Sequence, residues 1–152
     1  MVHATQRRRR SVSHARRAAV AVAATLGTGM AAADAAESLN DYAWKDRILI
    51  VFSASGQSND LAEQRRIIQD ASAAFDDRSL RVVEVVGDRV SGASDSADAL
   101  RKRYGIDVNA FKVLLIGKDS GVKIASSTPL NAQDLNRTID AMPMRRSEVQ
   151  SR

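Results

Sequence analysis

The chain has 152 residues, with 23 Lys and Arg against 18 Asp and Glu, two histidines and no cysteine. Without cysteine there is no disulfide, no thiolate nucleophile and no thiol redox pair, and a lipoprotein anchored through an acylated cysteine is excluded. The formal charge of +5 has a single source at one end of the chain.

The first 36 residues hold six arginines, Arg7 to Arg10, Arg16 and Arg17, and one acid, Asp34. A basic segment, an apolar stretch from Ala18 to Met30 and the small-residue run "AAADAA" are the three parts of a secretory signal. Cleavage after Ala33 or Ala35 leaves alanine at both specificity positions. A spanning helix needs ~20 strongly apolar residues; this stretch is shorter, rich in alanine and interrupted by Gly27 and Gly29. Residues 1–36 are therefore expected to be a cleavable signal peptide, cut near Ala33 to Ala36. That leaves a periplasmic or secreted protein with no stable membrane anchor. Arg16 and Arg17 admit twin-arginine export, but the "AAV" after them departs from the usual pattern, and general secretion is the simpler reading.

Beyond that segment 17 basic and 17 acidic residues remain, so the mature chain is formally neutral. It gives no warrant for nucleic-acid binding, which rests on excess basic charge. Both histidines, His3 and His14, lie in the signal. The rest therefore has no serine-histidine or cysteine-histidine nucleophile pair, no His or Cys to hold zinc or haem and no histidine pH switch. No cofactor or metal is expected. The remaining chain has the size of one domain and can bury a core without staples.

From Arg47, "RILIVF" is a short apolar run rich in β-branched residues and reads as a buried strand. "NDLAEQRRIIQDASAAF", from Asn59, reads as one helix. Leu61, Ile68, Ala71 and Phe75 share its apolar stripe, and Asp60 and Glu63 stand as cap and third-position partner. "LRVVEVV" from Leu80 is a second strand closed by Gly87, and "DRVSGASDS" is a loop by composition. A second helix spans Asp95 to Tyr104 and ends at Gly105, the residue suited to the left-handed turn after a helix. "KVLLIG" is a third strand, "KDSG" a turn and "VKIAS" from Val122 a fourth strand, the two forming an antiparallel hairpin. A third helix begins at Asn131, with Asp134 at its third position and Leu130 and Leu135 as a hydrophobic staple. Pro143 stops it, and residues 144–152, without apolar periodicity, are expected to fray.

This order predicts an α/β domain over residues 37–143 with thioredoxin-like connectivity, β-α-β-α-β-β-α. Its core is a central four-stranded mixed sheet whose last strand is antiparallel, with helices on both faces. A doubly wound flavodoxin-like sheet needs a further strand and helix where the "KDSG" hairpin lies.

The stretch "YGIDVNAFKVLLIGKDSGVKIASSTPLNAQDL" resembles the C-terminal half of thioredoxins. From Leu39 to about Arg146 the chain is similar to an uncharacterised family of exported bacterial thioredoxin-like domains. This is a domain of unknown function related to one in vertebrate extracellular sushi-repeat proteins. Leu39, Tyr42, Trp44 and Arg47 before "ILIVF", then Gln64 and Arg65, Arg78, and "LLIGKD" carry the resemblance, and the family brings no established reaction. The thioredoxin likeness implies a redox cysteine after the first strand, where the helix N-terminus stabilises a thiolate, and a cis-proline facing it before the third strand. Here the cysteine spacing reads "SGQS", Ser55 to Ser58, and the proline position falls at Ala110 and Phe111. Serine stays protonated at neutral pH, so thiol-disulfide oxidoreductase and peroxidase activities are excluded.

The residues left to carry function are few. Ser55, Gly56, Gln57 and Ser58, with Arg65 within reach and Phe111 opposite, form either an anion or ligand site at a helix start or an ordinary strand-to-helix connection. Whether Gln64 or Arg65 turns towards the core is open. Tyr42 and Trp44 either close the core or form a partner-binding ledge. "RKRY", Arg101 to Tyr104, reads as a solvated basic helix end that suits the helix dipole. Asp88, Asp95 and Asp98 lack the alternation of a dedicated calcium loop, and no particular pair among the acids points to glycosidase-like chemistry. The expectation is an exported non-redox binding module for a protein or small ligand in the cell envelope. The alternatives are an enzyme using Ser, Arg and carboxylates in the same cleft, and a structural envelope protein docking through Tyr42 and Trp44. No catalytic residue is assigned.

Overall fold

The computed structural model describes residues 37–152; the expected signal peptide lies outside them. The elements are β1 (Arg47–Ser53), α1 (Asn59–Asp70), α2 (Ser72–Asp77), β2 (Leu80–Val86), β3 (Arg89–Ser91), α3 (Ala97–Tyr104), β4 (Lys112–Ile116), β5 (Val122–Ser126), α4 (Ala132–Asp140) and α5 (Pro143–Gln150). The sheet order is β3-β2-β1-β4-β5, so β1 is central. Every residue of β1 is buried, as its unbroken apolar run requires of a strand covered on both faces. Ile48, Ile50 and Phe52 point into one core with Val83, Leu100 and Leu114. Leu49 and Val51 point into the other with Leu61, Phe75, Leu115 and Leu135.

The sheet has five strands where the sequence suggested four. Gly87 (φ +58) and Asp88 form a two-residue turn, and Val85 pairs with Val90 across the hairpin. A Gly-Asp dipeptide after an apolar strand is a hairpin signal; the Arg89 and the Ser- and Asp-rich continuation obscure it. β3 stops at Gly92, where φ is +83 and an added Cβ would lie 2.3 Å from the Val82 carbonyl oxygen. Only glycine passes there.

The direction of β4 also differs from expectation. β2 runs parallel to β1, but β4 runs antiparallel to it, with Phe52 opposite Lys112 and Ile48 opposite Ile116. β5 is antiparallel to β4 in turn, and hence parallel to β1. The cause is where α3 ends: the Tyr104 ring lies 6.4 Å from that of Phe52, so β4 starts at the Phe52 end and runs back.

The helices follow local chemistry with small shifts. α1 is capped by Ser58, which accepts from the Leu61 N–H, rather than by Asp60. The expected single helix is interrupted at Ala71 (φ −102, ψ 8), and yet Leu61 and Phe75 stay buried on one stripe. α3 starts two residues later than expected, capped by Ser96, and ends as expected on left-handed Gly105. Asn131 caps α4 through the Asp134 N–H at 2.8 Å. No helix among the described residues is long and apolar enough to cross a membrane.

The expected frayed tail, 144–152, is instead mostly helix. Pro143 does end α4, and it also occupies the first turn of α5, where its fixed φ is preorganised and its missing N–H costs nothing. α5 is then held by charge. Arg145 donates to the carbonyl and the carboxylate of Asp77, while Glu148 accepts from Arg47 at 3.2 Å and lies 2.8 Å from Lys118 Nζ.

Candidate functional site

The "SGQS" loop leaves the C-terminal end of the central strand and enters α1. Ser53, itself buried, donates its hydroxyl to the Ser55 carbonyl at 2.9 Å, and the Ser53 carbonyl accepts from Gly87 N–H at 3.0 Å and from Arg101 Nη2 at 3.1 Å. The root of the loop is therefore pinned. Its middle borders open space: a Cβ added at Gly56 would meet no atom within 4 Å. Ser58 is occupied as the helix cap, accepting from Leu61 N–H at 3.4 Å.

Three of the six expected ligand-binding residues come together. Ser55, Gly56 and Arg65 line an open depression of about 610 Å³, whose other walls are Glu84, Val86 and the Gly87–Ser91 hairpin. Gln57 and Ser58 do not line it. Phe111 packs instead against the core that holds Leu61 and Val113. Within the depression Arg65 grips Glu84, Nε at 3.0 Å from both carboxylate oxygens and Nη2 at 2.6 Å from one. The bonded carboxylate raises the arginine pKa further. What faces a ligand is thus a neutralised pair, two small residues and the β-hairpin, with Arg89 and Asp88 at the rim.

Gln64, next to Arg65, is turned fully inward. Its amide donates to the Leu130 carbonyl at 3.2 Å and accepts from the Leu130 N–H at 2.7 Å. This side chain ties α1 to the segment entering α4 and has no donor or acceptor aimed at the loop. Tyr42 and Trp44 part company: Tyr42 is buried with its hydroxyl on the Gly92 carbonyl at 2.9 Å, whereas Trp44 is 69% exposed. Asp95, one of the loop acids, accepts from Leu39 N–H at 2.7 Å and fixes the segment before β1. No cluster of three or more His, Asp or Glu that would hold a metal occurs among the described residues. A larger depression, about 720 Å³, borders the outer edge of β2 between Tyr42, Phe75 and Arg81, away from the loop.

Arg101 also departs from the expectation of a solvated basic helix end. It belongs to the basic run at the end of α3, yet it is only 5% exposed. Helical spacing carries the signal: Ala97, Leu100 and Arg101 share the buried face of α3, a pattern that the charge of the run masks.

A mixed five-stranded sheet with helices on both faces and a strand-to-helix loop at the end of the central strand is a thioredoxin-like fold. Residues 38–148 match the family described as a domain of unknown function, DUF4174, and the chain belongs to that family. In three dimensions it is similar to the reduced 2-Cys peroxiredoxin of Plasmodium vivax, at 14% identity and a TM-score of 0.54, over 73% of this chain and 84% of that one. The mitochondrial 2-Cys peroxiredoxin of Plasmodium falciparum also matches, at 12% identity and a TM-score of 0.42, over 75% and 84% of the two chains. At such identities the likeness concerns the fold, and this chain has no cysteine to share in their chemistry. No curated protein matches it in sequence.

Proposed function

We propose that this domain is an exported, non-redox binding module of the cell envelope that holds a protein partner or a small ligand at the β1–α1 junction. The observation that carries the reading is the open depression at Ser55, Gly56 and Arg65. It lies beside the loop where the thioredoxin resemblance puts a redox cysteine, in a chain that has none. Export is supported by the sequence of residues 1–36, with its basic, apolar and small-residue parts in order. Binding is the preferred reading because Arg65 and Glu84, the bidentate pair of the depression, are engaged with each other.

The test is affinity capture from an envelope extract of the host, using the mature chain, residues 37–152, beside the same chain with Ser55, Ser58 and Arg65 replaced together. A partner retained by the first and lost by the second supports the module and its surface. Equal capture by both would move the site elsewhere. Trp44 favours one second reading, a docking surface on the segment leading into β1, because a large apolar side chain is held out in solvent. Loss of the partner on Trp44→Ala, with retention in the triple variant, would select it.

A further inference from the structure

Three arginines are buried among the described residues, Arg47, Arg101 and Arg145, each at 5% exposure or less. Arg47 has Glu148 beside it and Arg145 has Asp77. Arg101 has no carboxylate within 4.0 Å among the described residues. Its Nη2 donates to the Ser53 carbonyl at 3.1 Å, its guanidinium carbon sits 5.8 Å from the centre of the Phe52 ring, and its Nη1 has no hydrogen-bond partner among the described residues. A buried guanidinium cannot escape its desolvation by losing the proton, and buried charges are ordinarily paired. An uncompensated one, with a free donor, is short of an anion.

Its location gives that shortage a meaning. The carbonyl that Arg101 touches belongs to Ser53, the residue from which the Ser55–Ser58 loop springs. The N-terminus of the twelve-residue α1 lies at the far end of the same loop and adds partial positive charge. Ala54, Ser55 and Gly56, the residues that follow the pinned root, line the open depression, and the space around Gly56 is unobstructed. The free edge of a guanidinium presents donors that match the paired oxygens of a carboxylate or phosphate.

We propose that the end of β1 binds a small oxyanion, the carboxylate or phosphate group of a small molecule, with Arg101 as its buried counter-charge and the Ser55–Ser58 loop as its cover. The inference rests on the binding-module reading and supplies the ligand's chemical class. It requires the loop to shift on binding, since Arg101 Nη1 has no access to solvent in the present arrangement.

The experiment titrates the full chain, labelled with nitrogen-15 and kept in chloride-free buffer, with inorganic phosphate and separately with acetate. The amides of Ala54 to Asn59 and Gly87 are followed together with the thermal midpoint. Saturable shifts confined to these amides, and a midpoint that rises with anion concentration, are expected for at least one of the two anions; the tighter identifies the ligand's group. Arg101→Met is expected to abolish both responses while its midpoint without anion stays level with wild type or exceeds it, because an uncompensated charge is replaced by an apolar side chain of similar reach. Arg101→Lys keeps the charge, loses the paired donors and is expected to weaken binding by about tenfold. No response to either anion overturns the proposal, as does an Arg101→Met chain that responds like wild type. If Arg101→Met does not fold, unchanged binding by Arg101→Lys overturns it. Partner capture lost in the Ser55, Ser58 and Arg65 variant, in a chain indifferent to both anions, would leave the binding module standing and remove the oxyanion.

Discussion

Trp44 has a left-handed backbone, φ 67, with its N–H donated to the Lys118 carbonyl at 2.7 Å. That conformation costs an ordinary L-residue ~1–2 kcal/mol, and an indole 69% exposed regains little through burial. Trp44→Gly is therefore expected to raise stability by about 0.5–1 kcal/mol in urea denaturation, the strain relieved less the extra chain entropy of glycine. A lower midpoint would mean the indole packs more than its exposure indicates. Tyr42 and Trp44 looked alike in the sequence because residue type carries no information on the sign of φ two positions apart. The same limit applied to Gln64 and Arg65. Successive helix positions differ by about 100°, and the partner that draws Gln64 inward, Leu130, is far away in sequence. Arg65 was placed within reach of the loop by the same helix, but Glu84, its actual partner, sits on β2.

Among the elements, β4 lies between β1 and β5, and Leu115 is fully buried in the core beneath α1 and α4. Leu115→Ala should lower stability by ~2–5 kcal/mol, read as a shifted denaturation midpoint at constant slope; a midpoint within error of wild type would contradict the burial. α5 is held differently, by carboxylates. Asp77 is lowered from its ordinary pKa by hydrogen bonds from Arg152 and Arg145, and Asp140 by one from Arg78. Burial pushes Glu148 up, but hydrogen bonds from Lys118 and Arg47 outweigh it and leave the group lowered. Depressed carboxylates contribute stability above their unfolded values, near pH 4, and lose it as the pH falls through the folded ones. Protonation also leaves Arg47 and Arg145 buried without counter-charge. Acidification from pH 7 to 3 should thus strip hydrogen-exchange protection, corrected for intrinsic rates, from α5 before β1 and β4. Simultaneous loss in all three would show that α5 is not the weak point. Sequence periodicity missed α5 because what holds it is ion pairing with Arg47, Asp77 and Lys118, none of them near it in the chain.

For the whole molecule, the absence of any thiol decides the chemistry more firmly than the fold does. Purified residues 37–152 are expected to show no turnover in a disulfide-reduction assay and no peroxide consumption, despite a fold similar to that of a peroxiredoxin. Turnover by homogeneous protein would overturn that expectation. The sequence by itself determined the class of fold, the buried strand β1, the stripe of α1, the caps at Asn131 and Gly105, and the exclusion of thiol chemistry. These follow from composition, local periodicity and single-residue conformational preference, all of which act over a few residues. The tertiary structure alone decided the direction of β4, the docking of α5, the inward turn of Gln64 and the burial of Arg101 with no carboxylate beside it among the described residues. Each of these is set by which distant groups meet in space, and a solvated arginine and an unpaired buried one are the same letter until the sheet has closed over it.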